Sequence, residues 1–246
     1  MLTLSRHRAR LLLIPLAGLL AAACEHNLGP STGGGGGGGP GPGPSLGTAS
    51  TYGILAATAV TCISGGVINA DLGLSPNGAA SITGFPPCTI TGTQHAADAV
   101  AAQAKADFVT AYNALVALTC PPANNFGTTD QGGTTKTPGV YCSGSSIGVT
   151  GAITLNGQGD PNARFVFQAG SSLIVAGSVV LTNGAQAKNV WWQVGTSATL
   201  GTASAWKGNV LADVSITLND NANLLGRAFG RTGGITLGNN NFIALP

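Results

Sequence analysis

Acid–base chemistry needs carboxylates or a histidine held close together, and the chain has few such groups. After Glu25 its acids are Asp71, Asp98, Asp107, Asp130, Asp160, Asp213 and Asp220, spread singly with no recurring pair. Glycoside cleavage requires two carboxylates flanking one bond, so a polysaccharide-active enzyme is disfavoured and no catalytic residue is expected. Asp213 and Arg231 could meet on successive repeats, but Gln168 and Gln193 are read as their counterparts, which makes a polar column rather than a site. His95 reads as an exposed or capping residue near the start of a helix. Cys62, Cys88, Cys120 and Cys142 are an even set that could hold a metal or form disulfides. None has the close spacing that zinc sites use, so neither metal nor cofactor is expected. Of three possible connectivities, Cys62 with Cys88 and Cys120 with Cys142 is expected, each bond closing a loop of about 20 residues and contributing roughly 3 kcal/mol in the chain-entropy model.

The elements around these residues must be built from an unusual composition. Only 7% of the 246 residues are charged, against about 25% in ordinary globular domains. Past position 23 no apolar run reaches the roughly 20 residues of a membrane span. Arg6, Arg8 and Arg10 precede the apolar run Leu11 to Ala23, the layout of a secretory signal peptide. Leu20-Ala21-Ala22-Ala23-Cys24 resembles a bacterial lipobox, with Ala21 where Leu is usual, so Cys24 is a candidate for lipidation, and a plain cut near Ala23 is the alternative. Residues 24–45 carry a Gly run and alternating Pro-Gly, which cannot build a core and reads as a tether. A folded domain is expected over 46–246, exported, either secreted or held at the outer membrane or cell surface by lipid alone. From residue 24 on, seven Lys/Arg face eight Asp/Glu, which offers no footprint for nucleic acid, and a monomer is expected.

One stretch is helical. His95 to Leu118 is Ala-rich without Gly or Pro, and Val100, Ala104, Phe108, Ala111 and Leu115 recur at three- and four-residue steps. Thr93 is the expected cap and Pro121-Pro122 the stop.

The C-terminal half repeats. Thr154-Leu155, Thr199-Leu200, Thr217-Leu218 and Thr236-Leu237 recur, with Val180-Leu181 filling the gap. Alternation along a strand sends Ile153/Leu155, Val179/Leu181, Ala198/Leu200, Ile216/Leu218 and Ile235/Leu237 inward. The outward neighbours are Ala152, Thr154, Ser178, Val180, Ser197, Thr199, Ser215, Thr217, Gly234 and Thr236. They are expected to form one flat, nearly uncharged face with a Thr column broken at Val180. A second series, Phe165-Val166-Phe167, Val190-Trp191-Trp192, Val210-Leu211-Ala212 and Phe229, looks apolar on both sides, and the helix is the expected cover. Repeats of this length predict a mostly β chain wound as a parallel β-solenoid.

Several segments bear a closer resemblance: Val67-Ile68-Asn69-Ala70-Asp71-Leu72-Gly73-Leu74-Ser75-Pro76, Gly84-Phe85-Pro86-Pro87, His95-Ala96-Ala97-Asp98-Ala99, Thr137-Pro138-Gly139-Val140-Tyr141, Gly159-Asp160-Pro161-Asn162-Ala163 and Trp192-Gln193-Val194-Gly195. In these the chain resembles the microbial ice-binding, or antifreeze, protein family over about Leu46 to Ile243. The resemblance implies a right-handed β-solenoid with a long helix along one side and N-terminal coils added at one end. It also implies an ice crystal surface as partner, growth and recrystallisation inhibition as the activity, and no catalytic residues; a surface-anchored adhesion module that binds ice, glycan or another surface is the alternative. Some members carry Thr-Ala/Gly-x-Thr/Asn; Thr196-Ser197-Ala198-Thr199 comes near it, while Thr150-Gly151-Ala152-Ile153 and Thr232-Gly233-Gly234-Ile235 depart at the fourth place.

Overall fold

The computed structural model describes residues 43–246, so the signal segment, most of the tether and Cys24 lie outside the described residues. All described strands join one curled, all-parallel sheet, and the single α-helix among the described residues, Ala99–Val116, lies against it. No helix among the described residues is long and apolar enough to cross a membrane.

Strand register sorts the sheet into three ladders, here faces A, B and C. Face A takes the first halves of the ten-residue strands Ile147–Asn156 and Leu173–Thr182, then Ala198–Leu200, Ile216–Leu218, Ile235–Asn239, Val60–Ser64 and Ile82–Thr83. Face B takes Thr135–Lys136, the second halves of those long strands, the first residues of Ala205–Ala212 and Asn223–Gly230, then Phe242–Ala244, Val67–Asn69 and Thr89–Ile90. Face C takes Gly139–Ser143, Phe165–Ala169, Val190–Val194, the later halves of Ala205–Ala212 and Asn223–Gly230, then Tyr52–Ala56, Asp71–Leu74 and Gln94–Ala96. The stacking order is thus not the chain order: the N-terminal strands pair onto the last C-terminal turn, extending all three faces.

A strand that serves two faces must bend between them, and glycine makes the bend. Gly151 has φ +85°, and a Cβ on Gly177 beside it would lie 1.7 Å from the Gly151 carbonyl oxygen. Gly208 (φ +108°) and Gly226 repeat the arrangement between faces B and C, with 1.9 Å from a Gly226 Cβ to the Gly208 oxygen.

Inside the sheet most of the inward side chains are removed from water. Ile153, Leu155, Val179, Ala198, Leu200, Ile216, Leu218, Ile235 and Leu237 are all buried, as expected, and Leu181 is packed on the core's margin. Rings from successive turns stack along the interior, Tyr141 on Phe167, Phe167 on Trp192 and Trp192 on Trp206, with centroids 5.3, 4.1 and 4.6 Å apart.

The helix covers face C. Ala104, Phe108, Ala111, Tyr112 and Leu115 pack on Val166, Trp191, Leu211, Phe229 and Leu55 in a second apolar cluster that also takes in Leu46. Two details differ from expectation. The cap is Asp98 rather than Thr93: its Oδ1 accepts the Ala101 N–H at 2.7 Å and its Oδ2 lies 2.8 Å from His95 Nδ1. Residues 94–96 are still paired as a strand with Leu72–Leu74, and the helix starts only after Ala97 turns the chain with φ 55°. The buried stripe accordingly begins at Ala101, and Val100 is exposed. Disulfides join Cys62 to Cys88 and Cys120 to Cys142; the second ties the helix exit to face C.

Candidate functional site

The ten outward residues expected on one face fall on two. Ala152, Thr154, Ser178 and Val180 stand on face B, where Ser178 pairs with Ala205 and Thr154 with Thr135 and Val180. Ser197, Thr199, Ser215, Thr217, Gly234 and Thr236 stand on face A. The neighbour of Thr199 on the preceding turn is Ile174, not Val180. The cause is the long strand Leu173–Thr182, which carries two faces: the 19-residue step from Val180 to Thr199 crosses a corner, whereas the true turn runs from Ile174 to Thr199.

This correction lengthens the Thr column. Thr199 pairs with Thr217, Thr217 with Thr236, Thr236 with Thr61 and Thr61 with Thr83, five in unbroken succession. At the roughly 4.8 Å spacing of neighbouring strands they span about 19 Å. Thr61 and Thr83 are the members sequence reasoning missed, and the signal was available: Val60-Thr61-Cys62 and Ile82-Thr83 repeat the apolar-Thr pattern of Ile216-Thr217-Leu218.

Each Thr is held by what lies beneath it. The residues before and after it on the strand, such as Ile216 and Leu218 around Thr217, are buried for the first four, and Ile82 beside Thr83 is partly buried, so the backbone cannot tilt without opening the core. Ser172, Ser197, Ser215, Gly234 and Ala59 form a small-residue column on one side, linked turn to turn by backbone hydrogen bonds such as Ala198 N–H to Ser215 O at 2.9 Å. Ala176, Gly201, Asn219, Gly238 and Ile63 follow on the other. These three columns hold no ionisable side chain. Carboxylates stand only at their margins. Asp220 accepts the Asn239 N–H at 2.8 Å, which holds it below the usual carboxylate range. Burial raises Asp130, but hydrogen bonds from Thr150 and Gly132 more than offset this and leave it lowered. Thr83 donates to Thr61 at 3.3 Å. A shallow depression beside Thr217 and Thr236 is lined by Ile63, Asn219 and Asp220.

Face B is less regular. Val180, Leu225 and Phe242 protrude from it, and Lys207 pairs with Leu225 in its middle.

The scattered acids do not assemble. Asp213 pairs with Arg231, as the repeat suggested, but their counterparts on earlier turns are Gly195 and Gly170, since Gln193 aligns with Leu211. Gln168 and Gln193 instead fasten the helix: Gln168 Nε2 donates to Leu115 O at 2.7 Å, and Gln193 Nε2 to the Tyr112 hydroxyl at 2.9 Å. The small Gly144, Gly170 and Gly195 leave an open cleft between the helix and face C.

A family model described as ice-binding-like matches residues 54–243. The ice-binding protein of Nostoc sp. (strain HG1) is 48% identical over 198 residues, 79% of this chain and 72% of that protein. Among solved structures, an ice-binding protein from an Antarctic biological consortium matches with a TM-score of 0.79 at 41% identity, covering 85% of this chain and 93% of that one. The ice-binding protein of the Antarctic ascomycete Antarctomyces psychrotrophicus matches with a TM-score of 0.77 at 40% identity, over 83% and 98% of the two chains. The chain belongs to the ice-binding-like family.

Proposed function

We propose that this protein adsorbs to ice through face A and thereby inhibits ice growth and recrystallisation. The observation that carries the reading is the unbroken column Thr199, Thr217, Thr236, Thr61, Thr83 between two columns of mostly small residues without charge. A Thr side chain presents a methyl and a hydroxyl on a stiff, branched Cβ, so the column offers a regular row of both. The methyls gain by leaving liquid water, and the hydroxyls can join a hydrogen-bonded lattice as donor and acceptor. A carboxylate or ammonium in that row would hold liquid water too strongly to release it. Face B carries the charge of Lys207 in its middle and no continuous Thr column, and face C is closed by the helix, which leaves face A as the uncharged plane.

The same reading includes a right-handed winding of the β-solenoid and a monomer in solution. It also includes export directed by residues 1–23 and lipidation at Cys24, with the tether giving the domain reach from a membrane surface. No enzyme reading is kept: the acids stay apart and the relatives are ice-binding proteins by name.

The test is Thr217→Tyr, at the centre of the column. The ring stands well above the plane of the remaining Thr residues and keeps ice from four neighbours at once. Expected are loss of crystal shaping and of the gap between melting and freezing points, with a thermal transition shifted by no more than an ordinary surface substitution, within about ±0.5 kcal/mol. Full activity in a folded Thr217→Tyr variant refutes the assignment of face A; equal loss from Leu225→Tyr places contact on face B as well.

A further inference from the structure

Face A is not level along its whole length. Next to Thr199 the column continues with Ile174, which is 55% exposed. On its other side lies Gly148, which has no side chain to support it, and beyond that the Asp130 carboxylate, whose Oδ2 lies 3.0 Å from where a Gly148 Cβ would stand. A second isoleucine, Ile63, is 58% exposed on the neighbouring column beside Gly238, adjoining Thr61 and Thr236. Thr and Ile branch alike at Cβ, but Ile has Cγ1 where Thr has Oγ1 and carries one further atom, Cδ1. It therefore reaches about one bond length, roughly 1.5 Å, above the level set by the Thr methyls and hydroxyls.

A crystal plane cannot bend around a raised atom. Lifted at one end by the Ile174 methyl, it stands away from Thr199, and a gap of 0.5–1 Å already forfeits about a quarter to a half of the attraction between facing atoms. We propose that Ile174 and Ile63 are raised stops that bound the ice-contacting plane, and that the height of Ile174 limits the affinity of this chain for ice. The proposal rests on the reading that face A is the contact plane. It makes residue 174 a determinant of strength within that site. A Thr at this position would carry the column to six members, spanning about 24 Å.

The experiment uses purified full-length protein and three variants, Ile174→Val, Ile174→Thr and Thr217→Tyr, each checked for an unchanged melting transition. The readout is the protein concentration giving half-maximal inhibition of ice recrystallisation. Val removes Cδ1 without adding a hydroxyl, so it isolates height. If height limits binding, both Ile174 variants act at about one third of the wild-type concentration, the equivalent of about 0.65 kcal/mol. Unchanged or weaker inhibition by both, with activity still abolished by Thr217→Tyr, overturns the proposal and leaves the face assignment standing. Improvement by Thr alone also overturns it, because the hydroxyl and not the height would then be limiting. Full activity of Thr217→Tyr removes the face assignment and this proposal together.

Discussion

Phe108→Ala separates the side of the molecule that holds it together from the side proposed to meet ice. Phe108 is fully buried at the middle of the helix–face C contact, its ring centroid 5.3 Å from Phe229 and 6.4 Å from Tyr112, with the Lys105 ammonium 5.2 Å from the ring. Truncation forfeits the transfer free energy of the benzyl group, about 2–3 kcal/mol. The unfilled space and the lost aromatic partners bring the total to about 4 kcal/mol. For a domain of about 200 residues each kcal/mol lowers the melting temperature by roughly 2–4 °C, so a fall of about 12 °C is expected. Calorimetry on the variant and wild type reads that shift. Ice assays run near 0 °C, far below either transition, where a native stability of several kcal/mol keeps nearly every molecule folded, and activity per molecule is expected to be unchanged. Loss of ice activity with a fall in melting temperature below about 3 °C would refute the reasoning, because it would make the helix side a contact surface rather than a structural one.

Two other perturbations test the anchoring and the helix seam. Cys24→Ser is expected to move the protein from the membrane fraction to the soluble exported fraction; unchanged fractionation on cell breakage would remove the lipid anchor from the proposal. Burial, and after it the Arg231 guanidinium, pushes the Lys105 ammonium from its ordinary 10.5 down to about 8. The unfolded chain therefore binds more protons than the folded one between those values, so stability rises with pH from about 8 to about 10.5, by the order of 3 kcal/mol. Chemical denaturation across that range is expected to show the rise in wild type and to lose it in Lys105→Met; a flat wild-type profile would contradict the burial of the charge.

The parts of this fold legible in the sequence are those carried by local alternation. Ile216 and Leu218 point inward because they flank Thr217 on one strand, and two-residue alternation needs no knowledge of partners. The double-sided apolar series Val166, Trp191, Leu211 and Phe229 announced a covered face for the same reason, and the Ala-rich stretch was the only helical cover available. What could not be read was register across turns of unequal length. Thr154 to Val180 and Ile174 to Thr199 are both true turns, but one strand holds both Ile174 and Val180, and its bend at Gly177 leaves the alternation looking uninterrupted. The same ambiguity set Trp191 level with Leu211, whereas it pairs with Asn209. Thr61 was missed because its stacking on Thr236 joins chain segments about 175 positions apart, and no periodicity spans that distance; Thr83 was missed with it because Thr83 joins the column only through Thr61. The helix cap was misread because pairing of Gln94–Ala96 with face C overrode the helical preference of an Ala-rich run.

The low charge, the helix and the Thr column have one physical origin. A winding sheet has an inside and an outside on every face, so alternation can leave only the outward positions to meet water or something else. On face C those positions are Val166, Trp191, Leu211 and Phe229, too apolar to stay wet, and the helix takes them out of solvent. On face A they are mostly Thr, Ser, Gly and Ala, with Ile174 and Ile63 as the exposed apolar exceptions, and most of these are neither apolar enough to demand a protein cover nor charged enough to bind water firmly. A folded protein ordinarily dresses such an exterior with Lys, Glu and Asp for solubility, and face A does not: the ions nearest it, Asp130 and Asp220, sit at its margins, while Lys105, Asp213 and Arg231 lie along the helix seam and Lys207 on face B. A plane bare of charge in its middle with carboxylates only at its margins suits the proposed contact with ice. Solid water fits that surface better than a protein partner would, because a partner interface concentrates aromatic and Arg anchors, and face A has neither.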